Sequence, residues 1–155
     1  MRLGGARSAR SYTLVELVVV LAILTTLASI AVVNILPLFL EAKGNKAEDD
    51  IRTLERLITT FLAENGEYPD SLEEVISPVP KDPWGNPYQY TRISGGGKGK
   101  GKWRKDRFLV PINNDFDLYS MGPDGQSSPP LTASHSHDDI IRGGNGGFVG
   151  VAADY

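Results

Sequence analysis

Ser11 to Leu24 reads "SYTLVELVVVLAIL", and Glu16 within it decides how the chain is understood. This carboxylate stands at the start of 24 uncharged residues, Leu17 to Leu40. At ~1.5 Å per residue, a helix of that length runs roughly 36 Å, enough to cross a bilayer core with tilt. The 13 Leu, Ile and Val residues between Leu17 and Leu36 favour insertion by roughly 4 to 8 kcal/mol, against roughly 3 kcal/mol for one acidic residue at a helix centre. Insertion therefore wins, and Glu16 near the end of the segment costs less than a central carboxylate. Arg2, Arg7 and Arg10 precede the segment, and Glu41, Glu48, Asp49 and Asp50 follow it. The positive-inside rule places the N-terminus in the cytoplasm and residues 41–155 outside.

The rest of the composition fits one modest domain. The chain has 155 residues, 41% of them hydrophobic, which is enough for a core. The net charge of −3 argues against a general nucleic-acid binder. Without residues 1–11 the count is 13 basic and 19 acidic residues (16 − 3 and 19), a net of −6. No cysteine is present. That excludes a disulfide framework and thiolate chemistry, and leaves a metal as the alternative staple for a small exported domain.

Two plain readings of the apolar segment compete. A secretory signal peptide could be cut after Ser29-Ile30-Ala31, but "VVNILPLFL" prolongs the apolar run beyond it. A simple membrane anchor accounts for the length and leaves Glu16 without a role. The whole stretch "YTLVELVVVLAILTTLASIAVVN", Tyr12 to Asn34, resembles the N-terminus of type IV pilins and type II secretion pseudopilins. The resemblance implies a basic leader, residues 1–11, removed by a prepilin peptidase between Ser11 and Tyr12, with methylation of the new amine. It also implies a role for Glu16. An ammonium on Tyr12 and a carboxylate on a neighbouring subunit are each costly in an apolar environment, and pairing offsets that cost. Glu16 would thus set the axial register of stacked helices. The chain departs from the family pattern in having Ser11 where glycine is usual. It also has Pro37 in place of a proline at Val33, which shifts any break in the helix toward the C-terminus.

Beyond the segment, Ile51, Leu54, Leu57, Ile58, Phe61 and Leu62 recur at helical spacing, which predicts a helix over 47–64 ended by Asn65-Gly66. The apolar segment and this stretch together read as one long, broken helix, its first half in the membrane or filament core and its second half packed on a small sheet. Asp70 or Ser71 can cap a short helix holding Leu72, Val75 and Ile76. "PKDPWGNPYQY", Pro80 to Tyr90, reads as a turn entering a strand, with its aromatics packed beneath the turn rather than forming a carbohydrate platform. The segment closely resembles one in major pseudopilins. "SGGGKGKGKWRKDR", Ser94 to Arg107, reads as a basic hairpin loop that could touch anionic lipid, DNA or a secretion partner. Gly96 to Lys102 imitates a phosphate loop, but Trp103 stands where Ser or Thr should follow. "RFLVPI", "FDLYS" and Phe148 to Ala152 read as strands.

"NNDFDLYSMGPDGQ", Asn113 to Gln126, carries the densest chemistry. Hard cations such as calcium take six to eight oxygens, and Asp115, Asp117 and Asp124 can supply carboxylates. The spacing is not that of an EF-hand, and from the residues alone turn and strand-end aspartates serve as well. "DLYSMGPDG" resembles the calcium loop of major pseudopilins, which implies calcium held by Asp117 and Asp124, a carbonyl near Asn114 and an oxygen near Gln126. His135-Ser136-His137 is a weak transition-metal motif, and no nucleophile or catalytic dyad is evident.

The resemblance therefore implies an α+β, type IV pilin-like fold: a transmembrane and filament-core helix over 12–40, then a small antiparallel sheet domain over 41–155 with a calcium loop. The function it implies is a structural subunit of a helical pseudopilus driving protein export by type II secretion. The chain would be a single-pass inner-membrane protein with its domain in the periplasm. Its implied partners are copies of itself, minor pseudopilins, the assembly platform, the peptidase and membrane lipid. A type IV or competence pilin, or a membrane-anchored periplasmic enzyme or binding protein, are the alternatives.

Overall fold

A computed structural model describes residues 12–95 and 101–155, excepting the side chains of Val33 and Asn34. The leader, with Ser11, and most of the phosphate-loop look-alike lie outside the described residues. The chain divides into two compact units, residues 1–39 and 40–155.

In the first unit, helix α1 (Leu14–Asn65) begins. Its described apolar side chains from Leu14 to Phe39 are exposed. Length and hydropathy make this helix able to cross a membrane. The expected break does not occur, and α1 runs through Pro37 as one helix.

The second unit holds the rest of α1 against four strands, β1 (Gln89–Arg92), β2 (Phe116–Ser120), β3 (Ile140–Gly143) and β4 (Phe148–Val151). They form one antiparallel sheet in that order. Register pairs Arg92 with Phe116, Tyr119 with Ile141, and Gly143 with Phe148. Half of the predicted helical stripe forms the core seam: Ile51, Leu54 and Ile58, joined by Ala47, are buried with Phe116, Leu118, Ile140 and Val149, whereas Leu57, Phe61 and Leu62 are only half-buried. Trp84, Tyr88 and Tyr90 pack against the same core, as expected of the aromatic turn.

Alternation along β2 turns Asp117 and Tyr119 to the face opposite Phe116 and Leu118. That face is buried too. Ile112 and Leu131, from the loops between strands, form a second cluster there with Ile141 and Ala152. Two local expectations fail. "RFLVPI" is no strand: Asp106 and Leu109 close a tight turn, Arg107 has a φ of 40°, and Pro111 lacks an N–H. The short helix after Ser71 is a three-residue 3-10 turn, Leu72–Glu74, with no side-chain cap from Ser71. Instead, the Asp70 N–H donates to Glu74 Oε2 at 3.1 Å.

Candidate functional site

Two regions carry the chemistry anticipated from the sequence. At the first, Thr13 precedes α1 and Glu16 stands three residues on. The Thr13 N–H and hydroxyl donate to Glu16 Oε2 at 2.9 and 3.1 Å, and the Glu16 N–H donates to Thr13 Oγ1 at 3.2 Å. This is a reciprocal capping box, and it satisfies helix N–H groups that otherwise have no partner. Its sequence signature is the T-x-x-E of Thr13 to Glu16, set at the mouth of the apolar run. Tyr12 and Glu16 are both exposed.

The second region is the acidic turn, whose two candidate aspartates differ in burial: Asp117 is interior and Asp124 exposed. Asp117 is buried in β2. Its Oδ2 accepts from the Arg104 backbone N–H at 2.7 Å, and its Oδ1 accepts from Asn113 Nδ2 at 2.9 Å. Burial pushes its carboxyl above the ordinary value, against the pull of these bonds and of the Arg104 charge. Asn114 donates its N–H to Asn145 Oδ1 at 2.8 Å. Asp124 lies on the exposed turn, where its Oδ1 accepts from the Gln126 N–H at 2.7 Å and its own N–H donates to Asp138 Oδ2 at 3.2 Å. His135 Nδ1 comes within 4.0 Å of Asp124 Oδ2. Among the described residues, no three His, Asp or Glu side chains gather as a metal cluster.

The turn itself is set by Gly122. Its φ is +63°, and a Cβ there would stand 2.3 Å from the Asp138 carbonyl oxygen. Gly122→Ala is expected to destabilise the fold by about 2 kcal/mol or more, read as a lower midpoint in thermal denaturation. The Asn86 amide, from the aromatic turn, donates to the Gly122 carbonyl at 3.3 Å. Asp82 organises that turn: its Oδ1 accepts from the N–H groups of Trp84 and Asn86, and its Oδ2 from the Ser120 hydroxyl.

Two buried arginines carry no role in the sequence reading: Arg104 and Arg142. Arg142 had a signal, a lone charge after two isoleucines in a strand. Its Nε donates to Glu55 on α1 at 2.7 Å, and its terminal nitrogens donate to Asp115 at 2.8 and 2.7 Å. The guanidinium also lies 4.1 Å from the centre of the Phe116 ring.

A helix of membrane-spanning length, opened by Thr13 and Glu16, thus leads into a sheet domain with an Asp-rich turn. Residues 6–32 match the prokaryotic N-terminal methylation motif. The type II secretion system core protein G of Pseudomonas aeruginosa is 31% identical over 141 residues, covering 77% of this chain and 87% of that protein. The chain belongs to the type II secretion system core protein G family. Core protein G of Vibrio cholerae is 32% identical over 77% of this chain and 84% of its own. For core protein G of Escherichia coli the figures are 30%, 87% and 91%. As a core protein G, the chain is a pseudopilin, a structural and non-enzymatic subunit of the pseudopilus. Its partners belong to the secretion machinery. Its single N-terminal apolar helix and prepilin motif agree with an inner-membrane pseudopilin.

Proposed function

We propose that this core protein G matures by cleavage between Ser11 and Tyr12 with methylation of the new amine. It then rests in the inner membrane through residues 12–40, N-terminus in the cytoplasm and residues 41–155 in the periplasm. From there it is drawn into a helical filament of its own copies, with minor pseudopilins and the assembly platform as neighbours. The observation that carries this reading is the state of Glu16. Its two bonds from Thr13 both end on Oε2, and the residue is exposed. The other carboxylate oxygen can receive the Tyr12 ammonium of an adjacent subunit while the cap stays in place.

Calcium enters this reading only as far as its donors fit. Of the set implied by resemblance, Asp117 has both oxygens engaged by protein N–H groups, and Asp124 closes on Gln126 at the surface. A guanidinium is buried beside Asp117. Asp117, Asp124, Asn114 and Gln126 as they stand do not make a six-oxygen shell, so our reading gives no step to the ion.

Intact-mass measurement of the protein extracted from membranes tests the maturation. A chain beginning at methylated Tyr12 is expected. A terminus after Ala31, or a retained leader, would contradict it.

A further inference from the structure

Arg104 is among the most buried side chains of the molecule, 1% exposed, although it comes from the basic run after the glycine-rich loop. Its guanidinium donates to the Ser127 hydroxyl at 2.5 Å, to the Ser128 carbonyl at 2.7 Å and to Asp139 Oδ2 at 2.5 Å. It lies 4.4 Å from the centre of the Tyr119 ring. The Ser127 hydroxyl also donates to Asp139 Oδ2, at 2.6 Å. Arg104's own N–H holds Asp117, and its carbonyl accepts from the Ile112 N–H. One residue therefore ties the segment before β2, β2 itself, the loop after the acidic turn and the residue that leads into β3. Asp139 Oδ1 and Arg104 Nε are buried without a hydrogen-bond partner among the described residues, so cation and anion depend on each other for compensation.

A bound divalent ion acts in such a loop by gathering carboxylate, hydroxyl and carbonyl oxygens around a positive charge. The Arg104 guanidinium gathers the same kinds of oxygen: the Asp139 carboxylate, the Ser127 hydroxyl and the Ser128 carbonyl, with Asp117 beside it. A metal ion between Asp117 and Asp139 would have to share that space with a fixed like charge. We propose that Arg104 is the structural cation of this domain, a tethered charge that sets the loop around the acidic turn without calcium.

The test uses the full chain in detergent micelles, melted in excess chelator and in millimolar calcium. Tryptophan emission follows the second unit, since both tryptophans, Trp84 and Trp103, lie in it. The wild-type curves are expected to coincide, and calorimetric titration with calcium to show no stoichiometric site. Arg104→Gln is expected to lower the midpoint by roughly 10 °C or more in both media. Arg104→Lys, which keeps the charge but not the planar fork, should fall between. Lys102→Gln, an exposed change in the same basic run, should melt as wild type. A calcium-dependent rise of several degrees in the wild type, or a stoichiometric calcium site, would overturn the proposal. So would an Arg104→Gln variant as stable as wild type. Should that variant not fold, the wild-type melts and titration decide alone.

Discussion

Glu16→Ala is expected to insert normally and to fail in filament assembly. The change removes a charge that opposes insertion, so the membrane-extracted amount should not fall. Breaking a buried charge pair costs roughly 3–5 kcal/mol, and each added subunit would meet that cost again. The concentration needed for assembly should therefore rise by roughly two to three and a half orders of magnitude, at about 1.4 kcal/mol per tenfold. The capping box supplies a rival explanation, since Glu16→Ala also uncaps α1. Glu16→Gln separates the two. Glutamine serves at this position of a capping box but carries no charge for the neighbour's amine. Sheared filaments, counted by electron microscopy, should be as scarce for Glu16→Gln as for Glu16→Ala. Wild-type yield from Glu16→Gln would assign the residue to helix capping alone.

The second large effect concerns Arg142. It joins Glu55 on the helix to Asp115, just before β2, and its side chain is only 2% exposed. Arg142→Met keeps much of the length and leaves two carboxylates facing each other without a cation. A loss of about 2–3 kcal/mol is expected: the two stranded carboxylates are part-exposed, so water screens some of the cost that a fully buried unpaired charge would carry. A double change, Arg142→Met with Glu55→Gln, should recover part of that loss by removing one stranded charge. Chemical denaturation of the two variants reads this directly. Equal stability of Arg142→Met and wild type would mean that the apolar seam of Ile51, Leu54 and Ile58 holds the helix to the sheet without these ion pairs. The close approach at Gly146, where a Cβ would lie 2.1 Å from Glu55 Oε1, shows how little room this junction leaves.

The helical half of the fold was legible because burial repeats along it. Ile51, Leu54 and Ile58 meet the sheet every three to four residues, and the sequence shows that period directly. β3 was not legible as a strand. Both faces of β2 and β3 are covered, so "IIRG" has no polar alternation to betray it. The capping box is visible as T-x-x-E. Arg104 had no local signature at all. Its partners Asp117, Ser127 and Asp139 are 13, 23 and 35 residues away. Only chain closure selects it over Lys102, Lys105 or Arg107 in the same run. The acidic turn shows the reverse: Asp117 and Asp124 look alike in sequence, yet one is interior and the other on the surface.

The central claim is that this core protein G is the repeating subunit of a filament matured at Tyr12. Purification of filaments from cells carrying the rest of the secretion system, followed by mass spectrometry of their subunits, tests it most directly. Filaments built chiefly of this chain, each copy beginning at methylated Tyr12, are predicted. Filaments that lack the chain, with the protein left in the membrane and its leader attached, would contradict it.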